Sequence, residues 1–346
     1  MKEYLLSQGW CPTEWNYKKD KNKRFIYVDG KKVKTSPKLT EDSFASVEGD
    51  IPKLVARRNI LKHRRSMLLN EEKGTGLLTL VRDDGRIAAE GIPQATPTGR
   101  YRHKGVVNIP SIYAPYGREI RSCFTVPTSK VMIGTDAKGL EARMEAHYCY
   151  PFTGGKEYAA ELLEGDIHSK NAKVFGTDRN GAKAPKYALV YGCQPDKLSE
   201  ILGCSKKKAK ELWHGFWDTN TALKEFQAEC LDEWKSNGGW VLGLDGRKLF
   251  IRSPHAIVNT KFQSAGSIVV KYATVLLFNE WIPQYNVDAK LIIHQHDEFQ
   301  AEGNPEHVGI HCYLANKAFE EAGEYFNINV PIEGESIVGK NWSETH

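Results

Sequence analysis

Apolar and polar positions follow two periods along this chain, and the changes of period mark out its elements. Residues 51 to 72 carry apolar side chains at helical spacing, with Pro52 near the start, and predict a helix with a basic face. Residues 11 to 50 are polar, with turn signals at Asp29-Gly30 and Ser36-Pro37, and predict irregular or hairpin structure. The stretch 77 to 89 predicts a β-hairpin turning at Asp84-Gly85, and 91 to 118, rich in Gly and Pro, predicts extended chain. The apolar run 131 to 137 predicts a buried strand, followed by a helix over 139 to 150. From 156 to 234 the pattern is helical, with breaks near Gly165, Gly176 and Pro195. A second hairpin over 239 to 251 turns at Asp245-Gly246, and 259 to 282 predicts a long, largely buried helix. A third hairpin over 289 to 303 and an amphipathic helix over 305 to 323 follow. There is no internal repeat. Antiparallel hairpins and helices, with a helical insert near the middle, predict an α+β fold.

Composition narrows the class. The chain has 346 residues, 40% of them hydrophobic and 26% charged, enough for two or three subdomains and a large core. No stretch approaches the ~20 apolar residues of a membrane span, and the first residues lack the apolar centre of a signal peptide. No membrane partner is expected. Seven scattered cysteines, never spaced as CxxC, predict reduced thiols in a cytoplasmic protein and exclude a zinc ribbon. The net charge of +5 is uneven: residues 1 to 104 hold 22 Lys and Arg against 13 acids, a net of +9, leaving −4 for the remainder. Basic clusters lie at 18 to 24, 31 to 34 and 57 to 65. Any one of them reads as a solvated face. Three together, with Trp10, Trp15, Tyr17, Phe25 and Tyr27 nearby, point to a polyanion such as nucleic acid.

Candidate chemistry begins with two carboxylates. Asp136 ends one predicted strand, and Asp297 falls in another 161 residues later. Two carboxylates ~4 Å apart repel by ~4 kcal/mol even at an effective dielectric of 20, so a shared site needs cations between them. Oxygen ligands with open positions suit Mg²⁺. Each Asp alone also reads as an ordinary strand-end or turn residue. His294, His296 and Asp297 offer zinc as a rival, but strand alternation would put the histidines on one face and Asp297 on the other. Zinc is the weaker reading. Arg179, Lys183, Tyr187 and Tyr191 recur every four residues and would form one helical stripe. Two cations followed by two aromatics suit a nucleoside triphosphate, with an exposed helix face as the plain alternative. Pro185 argues against a regular helix interior there.

These stretches carry a resemblance. DAKGLEAR (136 to 143), RNGAKAPKYALVYG (179 to 192) and HDEF (296 to 299) resemble motifs A, B and C of family A DNA polymerases. PTGRYRHKGVVNIP (97 to 110), YGREIRSCF (116 to 124), GDIHSKNA (165 to 172) and GLDGRKLFIRSPHAIVNTKFQSAG (243 to 266) agree in order, and bacteriophage replicative members are the nearest in kind. The resemblance implies a right-hand polymerase fold. It assigns a partial thumb to 1–75, an antiparallel-sheet palm to 76–148 and 256–346, and helical fingers to 149–255. It implies DNA-templated addition of dNTPs to a primer, in phage replication within the host cytoplasm. Asp136 and Asp297, with the Ala137 carbonyl, would hold two Mg²⁺ ions, for which Mn²⁺ can substitute, and Glu298 would assist. Arg179, Lys183 and His168 would bind phosphates, Lys183 also serving as proton donor. Glu141 would exclude a ribose 2′-hydroxyl, Tyr187 would stack on the nucleotide and Tyr191 would border the templating base. Arg100, Arg121, Asn259, Gln263 and His296 would contact primer-template DNA.

The sequence departs from the pattern at Asn108, Ala188 and Pro185. No Asp-x-Glu pair occurs in the first hundred residues, so an exonuclease is not expected here. The expectation is that a second polypeptide supplies the exonuclease and the rest of the thumb. A single-subunit RNA polymerase and a catalytically idle DNA-binding subunit are the alternatives. Glu141 argues against the first, and intact Asp136, Asp297 and Lys183 against the second.

Overall fold

The computed structural model describes residues 2–12, 14–22, 24–29, 31–38 and 50–345. Gly30, half of one expected turn, and Lys23 of a basic cluster lie outside them. The chain divides into two compact units: residues 1–88 with 113–116, and 89–112 with 117–346.

The first unit is small. Strand Trp15–Tyr17 pairs antiparallel with Lys34–Pro37, and Tyr27–Val28 pairs with Lys31–Lys32. Helix Asp50–Leu68 is the expected basic helix, ending four residues early. A small core joins Leu5, Trp10 and Ala56. Arg57 donates to the Tyr116 hydroxyl and Arg64 to the Pro115 carbonyl, which ties 113–116 to this unit. Of the expected hairpin over 77 to 89 only the turn is formed: the Arg82 amide donates to the Arg86 carbonyl at 2.9 Å and Val81 bridges Ile87 antiparallel, but Leu77–Leu80 is a 3-10 helix and not a strand. Two adjacent leucines at 77 and 78 do not alternate, so they offer no single face to a partner strand.

The second unit is organised on a four-stranded antiparallel sheet. In spatial order its strands are Ala289–Gln295, Glu298–Gly303, Val131–Ala137 and Gly334–Gly339. The central Val131–Ala137 strand is apolar because both its faces are covered. On one face Phe299 stacks on Phe319 of helix Val308–Tyr325, at 5.6 Å, and meets Phe278 edge-on at 5.4 Å. On the other, the chain's last residues cross Gly134 so closely that a Cβ there would lie 2.3 Å from the Thr345 carbonyl.

Helices fill the rest of the unit, confirming an α+β arrangement. Leu140–Cys149 leaves the central strand, and helix Ile257–Val275 packs across it, with Gly266 against Leu140 and Met144. That long helix runs through a π-helical stretch, Leu276–Trp281, before ending at Gln284. The insert contains Gly155–Leu163, Ile167–Phe175, Lys183–Val190, Pro195–Leu202, Lys206–Thr219 and Thr221–Ser236. Its breaks fall where the sequence put them. Asp166 caps Ile167–Phe175 through the Ser169 amide, Gly176 ends that helix in the left-handed region, and Pro195 opens another. The hairpin at Asp245-Gly246 is present, pairing Trp240–Leu242 with Lys248–Phe250. Residues 91 to 118, expected as extended chain, include part of a paired strand, Glu90–Ile92 with Arg102–Lys104, and the start of helix Gly117–Ser122.

Among the described residues no helix is long and apolar enough to cross a membrane. All seven cysteines are free thiols.

Candidate active site

Sheet register brings the two expected carboxylates together. Glu298 pairs directly with Asp136, and the Ala137 amide donates to the Asp297 carbonyl at 3.0 Å. Asp297 is not a strand residue, however. His296 and Asp297 form the two-residue turn between the strands, with His296 at φ 57°. The alternation that set the histidines and Asp297 on opposite faces therefore does not apply. Asp136 is exposed and Asp297 half-buried. The buried acid is Glu298.

Glu298 is held from below. The Trp342 indole donates to its Oε1 at 2.9 Å, and Gln300 Nε2 lies 3.3 Å from the same oxygen. Gln300 in turn accepts from the Thr345 hydroxyl at 2.7 Å. Arg121, expected to contact DNA, is instead only 4% exposed. Its Nε donates to the Pro110 carbonyl, and its guanidinium lies 4.4 Å from the Trp342 ring centroid. Burial lowers its pKa, while the nearby Glu298 charge opposes that shift. Arg121 belongs to the support of the carboxylate turn and not to an exposed surface.

A second group of residues converges from the helical insert. Lys183–Val190 is a short helix, with Arg179 in the turn before it and Tyr191 at its C-terminal cap. The expected four-residue stripe is thus shorter than a helix face. Pro185 causes no kink because it lies in the first turn, where its missing N–H has no helical partner to lose. Arg179 donates to Asp166 at 2.8 Å, and Ser169 Oγ donates to the same carboxylate at 2.6 Å. The Ser169 and Arg179 bonds bring the Asp166 carboxyl down to about 2. His168 lies 6.0 Å from Tyr187, ring to ring. Burial lowers its pKa first, and the charges of Lys186, Lys183 and Arg179 lower it further. Lys186 and Arg179 are themselves ion-paired, with Glu145 and Asp166, and the Asp166 charge opposes the shift.

The two groups meet through Glu141. The Tyr191 hydroxyl donates to Glu141 Oε1 at 2.5 Å, joining the Lys183–Val190 helix to the helix that follows the central strand. Burial, followed by that bond, raises the Tyr191 pKa, and the Arg100 charge opposes it. The Arg100 charge also lowers the His296 pKa, after burial. Asn259, Gln263, Ser267 and Lys271 form a row of step four on helix Ile257–Val275. Ser267 Oγ and Lys271 Nζ both bond the Gly99 carbonyl, which anchors Arg100 beside that row.

Among the described residues no group of three or more His, Cys, Asp or Glu side chains converges to hold an ion. Two Asp carboxylates, one at a strand end and one in the adjoining turn, fit a hard cation that completes its shell with water and phosphate. They do not fit the closed sulfur and nitrogen set of a structural zinc.

Sequence reasoning missed Asp166, Lys186, Glu145, Trp342, Ser267 and Lys271. Of these, Ser267 and Lys271 continue the Asn259/Gln263 spacing and were readable. Asp166 bonds Ser169 locally, as a helix cap, as well as Arg179, while Lys186, Glu145 and Trp342 act through partners distant in sequence.

A family model described as DNA polymerase family A matches residues 18–344. DNA-directed DNA polymerases of Enterobacteria phage T3 and Escherichia phage T7 are each 30% identical, over 99% of this chain and 51% of their own length. DNA polymerase I of Lactococcus lactis subsp. lactis (strain IL1403) is 25% identical over 91% of the chain and 37% of its own length. The chain therefore spans about half, or less, of these relatives. Among solved structures, the POL domain of Pol1 from M. smegmatis, in complex with DNA primer-template and dNTP, is similar in fold. Its TM-score is 0.74 at 23% identity, covering 93% of this chain and 59% of that one.

Proposed function

The chain belongs to DNA polymerase family A, and from that premise we propose that it is a DNA-templated DNA polymerase. In the proposed reaction the primer 3′-hydroxyl attacks the α-phosphorus of a dNTP, the α–β phosphoanhydride bond breaks and pyrophosphate leaves. The observation that carries the reading is the strand register that sets Asp136 against the His296-Asp297 turn. Asp136, Asp297 and the Ala137 carbonyl would hold two Mg²⁺ ions, with Mn²⁺ as a substitute and Glu298 as a secondary acid. The ions, when bound, supply charge neutralisation for the triphosphate and activation of the hydroxyl. His168, Arg179 and Lys183 bind the phosphates, and Lys183 gives a proton to the departing pyrophosphate oxygen. Tyr187 stacks on the nucleotide.

Glu141 supports a preference for deoxyribose, because its bond to Tyr191 fixes the carboxylate in one place. A fixed side chain beneath the sugar excludes a 2′-hydroxyl more firmly than a mobile one. This favours DNA over RNA synthesis. Arg100, Asn259, Gln263, Tyr191 and His296 line the proposed path of primer-template DNA. Residues 76–148 and 256–346 correspond to a palm, 149–255 to fingers and 1–75 to part of a thumb. The comparisons lend no support to a second polypeptide, and none is proposed.

Extension of a labelled primer on a template of defined sequence tests the reading. With Mg²⁺ and dNTPs, each added nucleotide should complement the template. No dNTP-dependent extension, or a preference for rNTPs, would overturn it.

A further inference from the structure

The Lys183–Val190 helix carries Lys183 and Tyr187, and its orientation decides where both point. Two polar contacts tie it to the Leu140–Cys149 helix. One is the exposed Tyr191–Glu141 bond. The other is buried: Lys186 Nζ lies 2.5 Å from Glu145 Oε2, with both side chains 2% exposed. The second oxygen of Glu145 accepts from the Tyr158 hydroxyl of helix Gly155–Leu163, also at 2.5 Å. Three helices therefore meet at one carboxylate.

Nothing in the proposed chemistry uses these groups. Lys186 faces the interior, yet its ammonium lies 5.1 Å from the Tyr187 ring centroid and its charge reaches His168. Positions this deeply buried are ordinarily apolar. A buried ion pair contributes little net stability, because desolvation offsets the attraction. What it contributes is direction. Each Glu145 oxygen has its own donor from a different helix, so both bonds are satisfied in one mutual orientation only.

We propose that Lys186, Glu145 and Tyr158 form a latch that fixes the Lys183–Val190 helix in its nucleotide-competent orientation. Lys186 is a positioning residue: it touches no substrate and acts through the helix bearing Lys183 and Tyr187. The inference rests on reading that helix as the nucleotide-binding one. Apolar side chains in place of the latch would still fill the space but would not select one orientation. If the competent orientation then falls to about a tenth of the molecules, apparent dNTP affinity falls about tenfold. Saturating nucleotide draws the population back, so turnover at saturation changes little.

The test compares the wild type with Lys186→Met/Glu145→Leu/Tyr158→Phe, measuring Tm, primer-extension KM and kcat, and amide hydrogen exchange over 183–191. The expected triple variant keeps its Tm within a few degrees, raises the dNTP KM about tenfold and holds kcat within about twofold. Exchange over 183–191 quickens while that over 140–149 stays unchanged. Lys186→Met alone should lower Tm more than the triple change does, because it leaves Glu145 buried without its cation. A triple variant with wild-type KM and protection would overturn the latch. So would one whose Tm collapses, since the latch would then be sustaining the fold. If the wild type extends no primer, the functional reading fails, and the exchange data still decide on the latch.

Discussion

Trp342→Phe removes one proton donor from beneath the carboxylate turn and leaves an aromatic ring in place. Trp342 is 1% exposed, its indole 2.9 Å from Glu298 Oε1 and its ring 5.5 Å from Phe124, edge to face. A hydrogen bond to a buried charged group contributes about 1.5–3 kcal/mol, and losing it leaves the acceptor to bear its desolvation. The smaller ring adds a packing loss on the order of 1 kcal/mol. The two effects separate in a double-mutant cycle with Glu298→Gln, because only the first depends on the carboxylate. Urea unfolding of the wild type, both single variants and the double should give a coupling energy of about 1.5–2 kcal/mol. Extension by Trp342→Phe should slow as well, since Glu298 pairs in register with Asp136. A coupling below about 0.5 kcal/mol, with extension unchanged, would refute the claim that the C-terminal segment holds this acid.

Three further outcomes are expected. Stability should fall in mild acid. His311 is fully buried and His147 accepts the Asn329 amide on Nδ1, and burial pushes both pKa values from 6.5 to about 4. Their stabilisation is complete above pH ~6.5 and lost as pH falls towards ~4, by roughly 3 kcal/mol each, so His311→Phe should flatten the fall in Tm between those limits. Glu141→Ala should admit ribonucleotides, read as a higher rNTP:dNTP extension ratio, and an unchanged ratio would count against the gate. Asp166→Ala should release Arg179 and alter the dNTP KM, whereas an unchanged KM would mean that the Asp166 bond does not set the position of Arg179.

How far the sequence could be read depended on the range of the interactions. Hairpin 239–251 was legible because Asp245-Gly246 suits a tight turn and pairs its own neighbours. Hairpin 289–303 was legible as an element, but its turn was not, because His296 takes the left-handed position that Gly or Asn usually fills. That one residue moved Asp297 from strand to turn. Arg121 was given to DNA by the resemblance; it lies within helix Gly117–Ser122 and is buried against Trp342, which returns from near the far end of the chain, so its burial was not legible locally. Lys186 was hidden the same way. Its spacing suited an ordinary helix, and its partner Glu145 lies 41 residues earlier.

The most direct test of the account is single-nucleotide incorporation by purified Asp136→Asn and Asp297→Asn, with primer-template binding measured on the same samples. Each substitution keeps the shape of the side chain and removes one of the two charges that the sheet register brings together. The account predicts wild-type DNA binding with Mg²⁺-dependent incorporation reduced to background in both variants. Substantial incorporation by either one would contradict it.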